Sequence, residues 1–181
     1  MAFNDSHFTD SSYRPEFFYY FEQIPGLKMP PKWQLGLQLG IGHESNGFEG
    51  DTHKSINTLY LRPIFSAAAQ SNNFFITLAP KAYIYIGPMG LNPDIARYRG
   101  FVDLRIVTGW RDGLQLAFRG RLGSNFDKGS ALLDLTYPFY NLSGGNIDMS
   151  LTAQYFVGYG EGLLGYRDFE QFLRFGVTLV R

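Results

Sequence analysis

Apolar and polar residues alternate with a period of two along most of this chain, in runs of about ten residues. A β-strand points successive side chains to opposite faces, so such a run has one apolar and one polar face. The clearest case lies between Trp33 and Ser45. Trp33, Leu35, Leu37, Leu39 and Ile41 share one face, while Gln34, Gly36, Gln38, Gly40 and Gly42 share the other. The same pattern predicts strands over 16–23, 56–67, 74–86, 97–110, 114–122, 130–137, 147–157 and 169–179. Pro63 and Pro80 fall inside two of them and predict bulges or short interruptions, because proline removes a ladder donor.

Strands in soluble proteins average about 5–6 residues. Alternating strands of about ten residues separated by turns are the signature of a transmembrane β-barrel. The connections fit that signature. Tight turns are expected at Arg111-Asp112-Gly113 and Leu142–Asn146, and longer loops at 46–53, 87–94, 123–129 and 158–168. The expected fold is therefore an all-β antiparallel transmembrane barrel forming one domain over residues 1–181, with 1–14 as an N-terminal loop or tail. An open sheet would leave unpaired edges in hydrocarbon, and single-chain bacterial barrels have even strand numbers. About nine strands therefore predict that further N-terminal strands are missing, an expectation with which the lack of a signal peptide agrees. The polar face carries charges of both signs, among them Arg62, Lys81, Asp103, Arg105, Arg119, Arg121 and Asp134. Such a face suits a filled lumen better than a wide pore. A soluble lipid-binding barrel, apolar side inward, is the competing architecture.

Composition removes several function classes. The chain has no cysteine, which excludes thiolate metal sites, disulfides and cysteine nucleophiles. Sixteen basic and sixteen acidic residues cancel, so no overall field recruits nucleic acid. Three histidines remain. His7 reads as a solvated terminal residue. His43 continues the apolar stripe of the 33–45 strand, and Ser45 lies two residues on, on the same face. Asn57 heads the apolar stripe of the next strand. If these strands form a hairpin, a serine, a base and an amide that orients the base meet on one face. That is a nucleophilic hydrolase set with asparagine in place of the usual carboxylate. Spacing alone leaves turn chemistry as the alternative for His-x-Ser.

The motif His43-Glu44-Ser45-Asn46-Gly47, followed by Ser55-Ile56-Asn57-Thr58-Leu59-Tyr60, resembles the outer membrane phospholipase A family. Asn92-Pro93-Asp94-Ile95, Leu135-Thr136-Tyr137-Pro138 and the Tyr155–Glu161 stretch resemble it too, so the similarity covers nearly the whole chain from about Tyr13. The resemblance implies a twelve-stranded outer membrane barrel that hydrolyses phospholipid and lysophospholipid acyl esters with A1 and A2 selectivity. It implies Ser45 as nucleophile, His43 as base, Asn57 as orienting group and the Gly47 amide in the oxyanion hole. It further implies a calcium cofactor and an active homodimer. The calcium ligands would match Phe48, through its carbonyl, and His53, with Ser6 or Asp5 from the partner subunit. His53 stands where the family has a serine, and its nitrogen suits calcium poorly; Asp51, Thr52 or Ser55 could replace it. A second metal position of the family falls on Leu91 and is expected to be lost. A barrel without chemistry, or a pore, is the alternative function.

Overall fold

The computed structural model describes residues 12–24, 26–47, 53–69, 73–90, 92–139 and 149–179. Nine strands form a single antiparallel meander in which each pairs with the next. They are β1 (Glu16–Phe21), β2 (Trp33–Ser45), β3 (Ser55–Ala68), β4 (Phe74–Ile86), β5 (Val102–Trp110), β6 (Gln115–Leu122), β7 (Gly129–Pro138), β8 (Met149–Tyr159) and β9 (Phe169–Leu179). One short helix, α1 (Ile95–Arg99), lies between β4 and β5. The strands β2, β3 and β4 contain 13, 14 and 13 residues. At about 3.4 Å per residue each crosses a hydrocarbon layer even when tilted.

Register sets the two faces. Leu39 pairs with Leu61, Ile41 with Leu59, and Leu59 in turn with Ile84. These side chains are 41–55% exposed and form an outward apolar wall. The polar partners point inward and meet one another. Lys81 Nζ donates to Glu16 Oε1 at 2.6 Å, Arg62 to Gln38 Oε1 at 3.0 Å, and Arg121 Nε to Asp103 Oδ1 at 2.8 Å. Further round, Gln154 donates to Asp134 at 2.6 Å and Arg174 donates to Gln154 at 3.2 Å. An apolar exterior over a paired, charged interior is the inverse of a soluble barrel and suits hydrocarbon outside. Trp33 and Trp110, half exposed at the strand ends, stand where interfacial aromatics are expected.

The β3–β4 ladder runs from Asn57↔Ile86 to Leu61↔Ala82 and resumes at Phe65↔Leu78 without a change of register. Pro63 therefore makes a short interruption, not a bulge, because its missing N–H falls in the gap. The 111–113 turn is as expected: the Gly113 N–H donates to the Trp110 carbonyl at 3.1 Å. The 142–146 turn lies outside the described residues.

One expectation is corrected. Residues 97–99, read as the start of a strand, belong to α1. The run Arg97-Tyr98-Arg99 alternates, but a short window does not separate strand from helix. The Asn92-Pro93-Asp94 turn starts the helix instead, with Arg97 N–H donating to Asp94 O and Gly100 N–H to Ala96 O.

The connections β2–β3, β4–β5, β6–β7 and β8–β9 all lie at one end, as antiparallel order requires. There α1 and the 160–168 loop make a conventional apolar core. Ile56, Ile95, Leu163 and Tyr166 are at most 5% exposed, and Tyr98 packs against them. Arg14, just before β1, donates to the Glu161 carbonyl beyond β8 at 2.7 Å. The sheet therefore curls until its first and eighth strands approach at this end. Among the described residues β1 and β9 are edges, with no ladder between them.

Candidate active site

His43 and Asn57 are direct register partners across β2 and β3. Both side chains leave the wall on the outward face, and His43 Nδ1 lies 2.8 Å from Asn57 Oδ1. An amide oxygen only accepts, so Nδ1 carries the proton and Nε2 presents its lone pair. Ser45 sits one strand repeat further on the same face, opposite Ser55. Its backbone is pinned on the other side by Tyr13: Tyr13 N–H donates to Ser45 O at 2.8 Å and Ser45 N–H to Tyr13 O at 3.0 Å. The Ser45 hydroxyl hydrogen-bonds to none of the described residues and is free to turn toward Nε2. In enzymes without substrate, nucleophile–base hydrogen bonds are often long or unmade.

Gly47 adopts φ +71°, and a Cβ there would meet the Tyr13 ring at 2.9 Å. Glycine is thus required where the chain turns sharply behind the serine. Asn46 explains the rest of the motif. It is 1% exposed, and its Oδ1 accepts the Lys54 N–H at 3.0 Å while its own N–H donates to the Lys54 carbonyl at 3.1 Å. Asn46 closes the neck of the β2–β3 connection and holds both strand ends in register. A groove of about 330 Å³ opens on the outer wall, lined by Pro15, Phe17, Ile41, His43, Asn57 and Ile86. Its apolar floor and single polar pair suit an acyl chain with one polar group to be read.

Several supporting residues escaped the sequence reading. Glu44 points inward between His43 and Ser45 and pairs with Arg99, at 2.8 and 3.2 Å, and with Arg14 Nε at 3.1 Å. Asn92, 0% exposed, donates through Nδ2 to the Ser55 carbonyl at 2.9 Å. Lys54 Nζ donates to the Leu164 carbonyl at 3.1 Å and lies over the Tyr166 ring. In the cap, Asp94 accepts from Arg167 at 2.7 Å and from the Tyr166 hydroxyl. The Arg167 hydrogen bond, with help from Tyr166, holds the Asp94 carboxyl below its ordinary range. Burial, and the acceptor role of Asp94, push the Tyr166 hydroxyl up to about 12. The only advance signal for Glu44 was its parity: it lies inside the motif but on the opposite face from His43 and Ser45.

The calcium positions are not assembled by the described residues. Phe48, Ser6, Asp5, Asp51, Thr52 and Leu91 lie outside them. His53 is exposed and offers nitrogen, and Ser55 gives its carbonyl to Asn92. Among the described residues no group of three or more His, Asp or Glu side chains could hold a metal. Of the expected calcium ligands only His53 lies among the described residues, and its nitrogen suits a hard cation that takes six to eight oxygens poorly.

A family model described as Phospholipase A1 matches residues 2–179. The Phospholipase A1 of Escherichia coli K12 is 30% identical over 178 residues, covering 96% of this chain and 55% of that protein. The chain thus spans about half the length of the curated relatives it matches. Among solved structures, an active-site Asn→Ala variant of outer membrane phospholipase A from Escherichia coli superposes with a TM-score of 0.77 at 28% identity, over 93% of this chain and 60% of that one. The Salmonella typhi outer membrane phospholipase dimer with bound calcium gives 0.77 and 28%, over 95% and 61%.

Proposed function

Because the chain belongs to the phospholipase A1 family, we propose that it is an outer membrane serine hydrolase that cleaves phospholipid acyl esters with Ser45, His43 and Asn57. The observation that carries this is the 2.8 Å His43–Asn57 bond on the outward apolar wall. A polar pair on a hydrocarbon-facing stripe costs free energy unless it serves something. The active-site asparagine of the Escherichia coli relative supports the role given to Asn57.

The substrate is the lipid itself, which reaches the groove by sideways diffusion in its leaflet. Ser45 Oγ attacks the ester carbonyl as His43 Nε2 takes its proton. The tetrahedral oxyanion faces the Gly47 N–H, and collapse expels the glycerol oxygen, which receives the proton back from His43. Water activated by the same imidazole then hydrolyses the acyl-enzyme and releases the fatty acid. Asn57 holds the imidazole in the required tautomer but adds no charge to stabilise the imidazolium, so its share is smaller than a carboxylate's. Diacyl and lysophospholipids both present the reacting ester.

The Salmonella typhi relative is a dimer with bound calcium, and homodimerisation and calcium binding are the corresponding proposals here. Phe17, Tyr19 and Ile41, all at least half exposed beside the groove, supply an apolar surface for a second copy. Two rivals carry less. The ion pairs of the inner face count against a hydrated pore, and the outward apolar wall counts against a soluble barrel.

The test is to refold the chain in detergent micelles and measure fatty acid release from a phospholipid, with calcium and with chelator, beside Ser45→Ala. Release that disappears in the variant supports the assignment. Full release in Ser45→Ala, or none from well-folded wild type, overturns it.

A further inference from the structure

Ser45 is the last residue of β2, and strand ends are where pairing loosens. A nucleophile and its base must nevertheless be held within about half an ångström of the productive geometry. On the outer face Asn57 orients His43, but no side chain among the described residues holds Ser45 there. The support lies beneath, on the inner face.

Glu44 is the residue between the base and the nucleophile. Both its carboxylate oxygens are taken by the guanidinium of Arg99, NH1 to Oε2 at 2.8 Å and NH2 to Oε1 at 3.2 Å. Arg99 is 3% exposed and does not stop there. Its Nε donates to the Gly160 carbonyl at 2.8 Å, and its NH2 donates to Glu161 O at 3.2 Å and Gly162 O at 3.0 Å. Gly160 sits at φ +73°, and a Cβ there would come within 2.8 Å of Arg99 Cγ, so glycine is needed for the arginine to pass. One planar fork thus locks α1 and the β8–β9 loop to the carboxylate of Glu44, the residue between His43 and Ser45. A lysine, with a single point charge, could not serve all these acceptors.

We infer that Arg99, acting through Glu44, is a positioning residue that sets the approach of Ser45 to His43. The inference rests on the proposed hydrolase function and adds a part of the machinery on the opposite side of the wall from the chemistry. Neither residue touches the substrate groove, so the loss on removal falls on turnover and not on substrate binding.

The test uses the full chain in micelles and compares wild type with Arg99→Met, Arg99→Lys, Glu44→Gln and the double variant Glu44→Gln/Arg99→Met. Three quantities are read: kcat and KM on micellar phospholipid, the rate at which a fluorophosphonate labels Ser45, and the folded fraction from heat-modifiable gel mobility. Arg99→Met is expected to lower kcat and the labelling rate by about 10–100-fold, the scale of a misplacement of one ångström, with KM within about twofold. Arg99→Lys recovers only part of the loss, and the double variant falls no further than the worse single one. If Arg99→Met does not fold, Glu44→Gln, which keeps the side-chain shape, carries the test, with kcat down about fivefold or more on the same scale. Unchanged kcat, losses that track the folded fraction, or additive losses overturn the inference while leaving the hydrolase assignment intact. A wild-type chain that neither hydrolyses nor labels fails at the assignment itself, and this inference falls with it.

Discussion

The strand wall and the end cap bury opposite things. In the wall, Leu59 and Ile84 are 47% and 55% exposed while Gln38 is 6% exposed. In the cap, Ile95, Leu163 and Tyr166 are fully buried while Arg167 and Asp94 form an ion pair at the surface. One chain therefore obeys two solvents. The wall is built for hydrocarbon outside and polar pairing within, and the cap for water outside and an apolar core within. The candidate site lies at their junction. Its proposed reacting groups are polar residues at the edge of the apolar wall, and their supports reach down into the cap. The proposed catalysis on a lipid would use that border, because the ester would be met in the leaflet while polar groups hold the site rigid.

The contrast can be broken at several points. The largest expected effect is Ser45→Ala, which should lower hydrolysis by about 10⁴-fold or more without altering the folded fraction, since the hydroxyl supports nothing. Hydrolysis that survives would leave the polar stripe as structure alone. Next come Leu163→Ala and Leu59→Lys, read by chemical unfolding in lipid vesicles. Emptying the cap core should cost about 2–5 kcal/mol. Placing a lysine on the wall should cost about 2–4 kcal/mol if that face meets hydrocarbon. A Leu59→Lys variant as stable as wild type would put water outside the wall and collapse the distinction between the two regions. Asn57→Ala should lower kcat by about 10–100-fold, at or below the foot of the range of about 10²–10⁴-fold for general acid–base catalysis, because the amide only orients the base. A loss as complete as that of Ser45→Ala would mean the amide does more than hold a tautomer.

The smallest effect is in acid. The folded Asp94 carboxyl titrates below its ordinary value, so its pairing stabilises the cap fully above the ordinary carboxylate range. That contribution fades as pH falls through the depressed value. Both partners are partly exposed, so solvent screening keeps it small. Protection of the cap amides against hydrogen exchange, taken relative to the intrinsic rate at each pH, should fall at low pH in wild type and lose that dependence in Asp94→Asn. The same acid sensitivity in the variant would assign the effect elsewhere.

Much of the site was legible early because its signal is local. His43, Ser45 and Asn57 each interrupt an apolar stripe, and period two puts the first two on one face. The hairpin that joins them to Asn57 follows from two adjacent strands and one loop. The 97–99 segment was misread because Arg-Tyr-Arg alternates equally well at the end of a strand or in one turn of helix. Arg99 itself stood in the sequence as one more charge on a polar face. Its partners Glu44 and Gly160 lie 55 and 61 residues away, and no periodicity connects them.

Which face points outward was read from the structure, while the sequence by itself determined the alternation, about nine strands and the placing of three polar groups on the apolar face. These follow from side-chain order along a pleated backbone, which needs no knowledge of distant partners. Only the tertiary structure decided that α1 replaces the start of a strand and that the sheet curls to bring Arg14 to Glu161. It alone showed that a buried arginine ties β2, which carries His43 and Ser45, to the cap. Those features depend on which segments meet when the sheet curves. That is settled by the summed pairing of charges and apolar surfaces across the whole molecule, and no short window of residues contains it.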